Sequence, residues 1–187
     1  MKKDKVFISA AVQMDRKEII RYLRYLSDVL GQRGVHGEIA LYGGAAMILA
    51  FDARLKTKDV DAVFKPEQVI HAAANEVSSI YGAPPGWLSN AVEVFISDTE
   101  DLKFFMEFPN LRVYYAAPEY LLAMKCMSMR LGKGEHDLAD IKLLIKHLAI
   151  SSAAEALSIV ERYYPGGRIS SLAKSTVEEL FAEGEEA

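Results

Sequence analysis

LYGGAAMILAFDARLKTKDVDAVF, Leu41 to Phe64, joins a glycine pair, a helix-length apolar run and two aspartates two residues apart. Just before the pair, Glu38 to Tyr42 (EIALY) is short, apolar and bounded by Gly37 and Gly43, the profile of a buried strand. Gly43 and Gly44 supply a turn, and Ala45 to Phe51 continues as a helix. Glycines without a Cβ let the backbone approach a ligand, and the free N–H groups that open such a helix point at any anion there. A plain strand-to-helix turn has the same pattern.

The far end of the stretch narrows the choice. In Lys58 to Phe64 (KDVDAVF), Asp59 and Asp61 alternate with Val60 and Ala62, so a strand projects both carboxylates from one face. Like charges side by side destabilise a strand unless a cation lies between them. Magnesium, which bridges one or two carboxylates to substrate phosphates, suits that position. The alternative is an exposed strand end with two solvated aspartates.

The rest of the chain sets the frame. Its 187 residues, half of them hydrophobic and 26% charged, fit one compact domain, or a small α/β unit with a helical extension. A net charge of −4 excludes a broad basic surface, so a nucleic acid would have to meet a local patch; Arg54, Lys56 and Lys58 form the one beside the aspartates. The single cysteine, Cys126, lies in an apolar helical run and reads as a small buried hydrophobe. MKKDKVFISAAVQM at the N-terminus lacks a signal-peptide core, and no stretch reaches the roughly 18 unbroken apolar residues of a membrane span. The expected location is the cytoplasm, with no membrane partner.

Asp15 and Glu18 have capping-box spacing ahead of an amphipathic helix to Gly31, with Ile19, Ile20, Leu23, Leu26 and Leu30 on its apolar side. Pro66 is placed as the first residue of a helix that runs to Tyr81 and stops at Gly82. APPGWLSN, Ala83 to Asn90, is a loop in which Trp87 plugs a gap between layers or covers a base; the plug is the commoner use. Ala91 to Ile96, Lys103 to Phe108 and Leu111 to Tyr115 read as strands. Glu93 and Glu107 on them are candidates for a third carboxylate, or outward polar residues of alternating strands.

Pro118 begins an almost wholly apolar helical run that contains Lys125, a charge that must snorkel or meet an anion. Glycines 132 and 134 break the chain, and Glu135 to Leu148 forms the next helix. There Asp137 shares a face with Ile141, Leu144 and Leu148, and Asp140 lies beside it. Asp137 could simply complement the helix dipole; Asp140 lies deeper. Ser151 to Pro165 and Ser170 to Phe181 add two amphipathic helices, and EGEEA ends the chain as a frayed acidic tail.

Taken together, these segments resemble the nucleotidyltransferase superfamily with the DNA polymerase β-like palm, and within it the AbiEii-like branch. That branch's pattern is Gly-Gly or Gly-Ser, a short helix, then Arg-x-x-Thr/Ser-x-Asp-x-Asp, matched here by Gly43, Gly44, Arg54, Thr57, Asp59 and Asp61. Its later Leu-x-x-Lys and Arg-Asp-x-x-Asp helices match Leu122 to Lys125 and His136 to Asp140, with histidine where the branch has arginine and Lys133 and Arg130 nearby. Gly44 stands where many members carry serine.

The resemblance implies a mixed sheet with flanking helices over residues 1–116, followed by a C-terminal helical region, 117–187, packed on it. It also implies transfer of a nucleoside monophosphate from an NTP to an acceptor hydroxyl. Asp59 and Asp61 would hold two magnesium ions, or manganese. Gly43, Gly44, Arg54, Thr57 and Lys125 would bind the nucleotide, and Asp137 or Asp140 would complete the site. The acceptor it suggests is RNA, such as a tRNA end, in a toxin or phage-defence role with a cognate antitoxin or partner protein. The alternative is a palm-like fold kept as an inactive binding or regulatory module for a protein partner. A further reading is a structural α+β protein whose Asp-x-Asp is a coincidence.

Overall fold

The computed structural model describes residues 12–129, 135–166 and 169–182. Readings of the first eleven residues, of Arg130, Lys133 and the glycines at 132 and 134, of the His136 side chain and of the acidic tail lie outside the described residues.

In chain order the elements are β1 (Met14–Asp15), α1 (Arg16–Gln32), β2 (Gly37–Leu41), α2 (Gly43–Phe51), β3 (Lys56–Thr57), β4 (Val60–Lys65) and α3 (Glu67–Tyr81). After these come β5 (Leu88–Ser89), a 3-10 helix (Ala91–Phe95), β6 (Leu102–Phe108) and β7 (Leu111–Ala116). Four helices close the chain: α4 (Pro118–Ser128), α5 (Glu135–His147), α6 (Ala153–Tyr163) and α7 (Ser171–Ala182). The architecture is α+β. A mixed five-stranded sheet runs β5-β4-β2-β7-β6, and β1 and β3 pair separately. β2 is antiparallel to β4 and parallel to β7, while β5 runs parallel to β4.

Sheet register decides where the chemistry goes. Ile39 lies opposite Phe64 and Val113, and Leu41 opposite Ala62. All of these are buried, on the face where a Cβ at Gly37 would meet Ile70 of α3 and Leu30 of α1. The two-residue period then sends Asp61, Val63 and Lys65 to the opposite face. α1 is held at its start by the expected capping box: Glu18 N–H donates to Asp15 Oδ1 and Asp15 N–H to Glu18 Oε2, both at 2.9 Å.

Trp87 is the plug. It is buried, its Nε1 donates to the Ala74 carbonyl at 3.2 Å, and its ring lies 5.7 Å from that of Tyr22. Three boundaries differ from the sequence reading. Pro66 precedes α3 as its N-cap instead of opening it, and Leu88-Ser89 of the loop pairs with Val60-Asp61. Ala91 to Ile96 is not a strand: Val92 is buried while Val94, two residues on, is 80% exposed, a split that strand periodicity does not allow. Local bonds take over there, with Ala91 N–H donating to Ser89 Oγ and Glu93 N–H to the Asn90 carbonyl.

Among the described residues, no helix is long and apolar enough to cross a membrane. Trp87→Ala is expected to lower unfolding free energy by about 3–5 kcal/mol, as large-to-small core changes of this kind do. Urea melts followed by far-UV circular dichroism check it; a loss below about 1 kcal/mol would show that the ring is not a structural plug.

Candidate active site

The centre is the contact between Gly43 and Asp61. β2 delivers the chain to Tyr42, whose N–H donates to the Asp61 carbonyl at 2.9 Å, so the strand pair itself brings the aspartate beside the glycine. Gly43 has φ +50°, and a Cβ there would sit 2.4 Å from Asp61 Oδ2. Two independent constraints therefore require glycine. The sequence reading made the pair a turn ahead of the helix; α2 in fact opens at Gly43 itself, with no side-chain cap from Tyr42. A Cβ on Gly44 would meet Thr57 Oγ1 at 2.6 Å and Arg54 at 3.4 Å.

Asp61 belongs to β4, whereas Asp59 stands one residue ahead of it instead of on the strand. Thr57 Oγ1 donates to the Asp59 carbonyl at 3.1 Å and fixes that approach. The two carboxylates still feel each other. Burial, reinforced by the charge on Asp59, pushes the Asp61 carboxyl up to about 6, against the pull of Lys125 and Arg54.

Lys125 does not snorkel. On α4 it is 8% exposed, and its Nζ lies 2.7 Å from Asp137 Oδ1 and 2.8 Å from Asp140 Oδ2. Asp140, 3% exposed, also accepts from Arg54 Nη2. Both aspartates of α5 thus engage the lysine, and Asp140 alone ties it to the α2–β3 connection.

Two cavities meet here. The larger, about 610 Å³, is polar and lined by Gly44, Arg54, Lys56, Lys58 and Asp59 among others. The smaller, about 220 Å³, is walled by Val92 and Phe95 of the 3-10 helix and Leu121 and Met124 of α4. Asp61, Phe95, Lys125, Ser128 and Asp137 border both. The nine residues that the resemblance assigns to the site all line this cleft or pair directly with one that does.

Neither candidate third carboxylate joins them. Glu93 is exposed on the 3-10 helix, and Glu107 on β6, three strands from β4, is exposed and pairs with Arg112. The apolar wall was missed because Ala91 to Phe95 reads as a strand; the spacing of three between Val92 and Phe95 is the signal that reveals it. Burial pushes the Cys126 thiol up to about 12, in keeping with a small hydrophobe.

Among the described residues no group of three or more His, Cys, Asp or Glu side chains is arranged to hold a metal. A pair of carboxylates facing a polar cavity, one of them half-buried with a raised pKa, nonetheless fits a hard dication that completes its shell with substrate oxygens.

Folding raises the Asp61 pKa, so the stability this group contributes is full below about pH 4 and lost as pH rises through about 6. Asp61→Asn is therefore expected to exceed the wild type by roughly 1–3 kcal/mol at pH 7.5, with the difference closing near pH 4. Denaturant melts across that range without divalent cations check it, and a pH-independent difference refutes it. Asp140→Ala leaves Lys125 and Arg54 without their shared partner and should cost about 3–5 kcal/mol, measured the same way. Compared with known proteins, the chain matches no family model, no curated protein and no solved structure.

Proposed function

We propose that the chain is a metal-dependent nucleotidyltransferase with the polymerase β-like palm arrangement, moving a nucleoside monophosphate from an NTP to an acceptor hydroxyl. The observation that carries the reading is the approach of Asp61 to Gly43 at a helix start, with Asp59 and Lys125 bordering the same cleft.

Asp59 and Asp61 would hold the dications, magnesium or manganese. When bound, these supply charge neutralisation of the triphosphate and activation of the acceptor hydroxyl. The chain's own groups do the rest. The first N–H groups of α2, reached closely because residues 43 and 44 lack a Cβ, receive phosphate oxygens. Lys125, fixed from behind by Asp137 and Asp140, offers its ammonium at the junction of the two cavities with little conformational freedom left to lose. Lys56 and Lys58, exposed at the edge of the polar cavity, draw the polyanion in.

The same lip is the local patch on which an RNA acceptor, such as a tRNA end, would settle, and a toxin or defence role with an antitoxin partner accords with the sequence resemblance. Incubation with each labelled NTP, magnesium and total cell extract tests the reading. Label should enter a macromolecule, and Asp59→Ala with Asp61→Ala should lower the rate by about 10³-fold or more. Magnesium-dependent NTP binding without transfer would identify the inactive binding module instead.

A further inference from the structure

Away from the cleft, the sheet face opposite α1 and α3 carries two rows of side chains set by strand register. Lys65, Glu38, Arg112 and Glu107 stand opposite one another on β4, β2, β7 and β6. One step nearer the cleft, Val63, Ala40, Tyr114 and Phe104 do the same. Directly paired residues project from one face, so the first row is charged with alternating sign and the second is apolar. The charged row is exposed throughout, and Phe104 is 58% exposed, its ring 6.2 Å from that of Tyr114.

A cavity of about 230 Å³ opens on this face, and it shares no lining residue with the cleft. Ala40, Val63, Leu102 and Tyr114 give it an apolar lining, and charge stands at both ends. Lys65 and Glu38 border one end. Glu100 borders the other, where it accepts from the Tyr42 hydroxyl at 3.2 Å; Tyr42 is four residues, about 13 Å, along β2 from Glu38. These charges are largely free. Lys65 has no ion-pair partner among the described residues, while Arg112 is held by Glu107 at 3.0 Å and stands 3.6 Å from Glu38.

We propose that this cavity binds a free basic amino acid, lysine or arginine. Its carboxylate meets Lys65, its α-ammonium Glu38 and its side-chain cation Glu100, with the methylenes laid along Val63, Leu102 and Tyr114.

The volume is the room of about eight waters, the scale of one amino acid. Other small ligands fit the charges less well. A diamine brings a cation to Lys65, an acidic amino acid brings a carboxylate to Glu100, and an apolar amino acid leaves Glu100 without a partner. The apolar lining suits a methylene stem whose charged head reaches solvent-exposed carboxylates. Because the floor is the central sheet, the site is in place before a ligand arrives. The proposal is independent of the nucleotidyltransferase reading.

Titration calorimetry of the full chain with L-lysine, L-arginine, L-norleucine and cadaverine tests it. Norleucine lacks the side-chain cation and cadaverine the carboxylate. Lysine or arginine should bind at least about fivefold more tightly than either, the upper range for an exposed ion pair. Lys65→Met should abolish the preference for lysine over cadaverine. Glu100→Gln, which keeps an acceptor for Tyr42, should abolish the preference for lysine over norleucine. Equal wild-type affinities for lysine, norleucine and cadaverine would overturn the site whether or not the variants fold. So would a preference that survives either substitution, or no binding of lysine and arginine up to about 10 mM.

Discussion

One buried carboxylate, Asp140, holds two cations from two different parts of the chain. Arg54 comes from the connection between α2 and β3, Lys125 from the middle of α4, and Asp140 itself from α5. Each of the three would be costly to bury alone, and together they satisfy one another. The arrangement has a geometric consequence. Arg54 lies against Gly44, so anchoring it holds the α2–β3 connection, with Thr57 and the approach to Asp59, at a set distance from the helix that carries Lys125. The sheet supplies Asp61 by strand pairing; the ion pairs set Arg54, Lys125, Asp137 and Asp140 around it.

The C-terminal helices do more than complete a core. Tyr120 packs edge-on to Tyr42, the residue just ahead of α2, and Tyr164 grips the 3-10 helix. Burial pushes the hydroxyls of Tyr42 and Tyr164 well above their ordinary range, so these stay neutral hydrogen-bonding groups across the physiological range. The opening of the glycine helix and the apolar wall are therefore both referenced to α4 and α6. The shape of the cleft thus depends on α6, whose sequence has no chemical motif, as well as on α4, which carries Lys125.

What the sequence disclosed followed from how local the cause was. The Asp15–Glu18 cap, the glycine stop at Gly82 and the apolar stripe of α1 are set by residues within a turn of each other, and each is where pattern places it. Lys125 and Asp140 were conspicuous because charge in an apolar run demands a partner; which partner was invisible, since Arg54 is 86 residues away from Asp140. Ala91 to Phe95 misled because Val92 and Val94 imitate strand alternation, and only Ser89, Asn90 and the grip of Tyr164 on the following residues decide otherwise. Asp59 slipped off the strand for a related reason: the Thr57 hydroxyl takes its carbonyl, a side-chain bond that no period reveals.

Charge in the cleft is unevenly balanced. Lys125 and Arg54 face four carboxylates, those of Asp59, Asp61, Asp137 and Asp140, and their positive charge is already shared with the two on α5. Asp59 and Asp61 are left under-compensated, and the raised pKa of Asp61, set first by burial and then by the charge on Asp59, includes that deficit. Lys56 and Lys58 stand at the rim in solvent, where screening leaves them able to steer but too weak to neutralise a buried site. A polyphosphate approaching such a site, as the proposed function has it, would meet repulsion beside Gly43. Protonation relieves Asp61 below about pH 6; under the proposed function a dication held by Asp59 and Asp61 would do so at neutral pH.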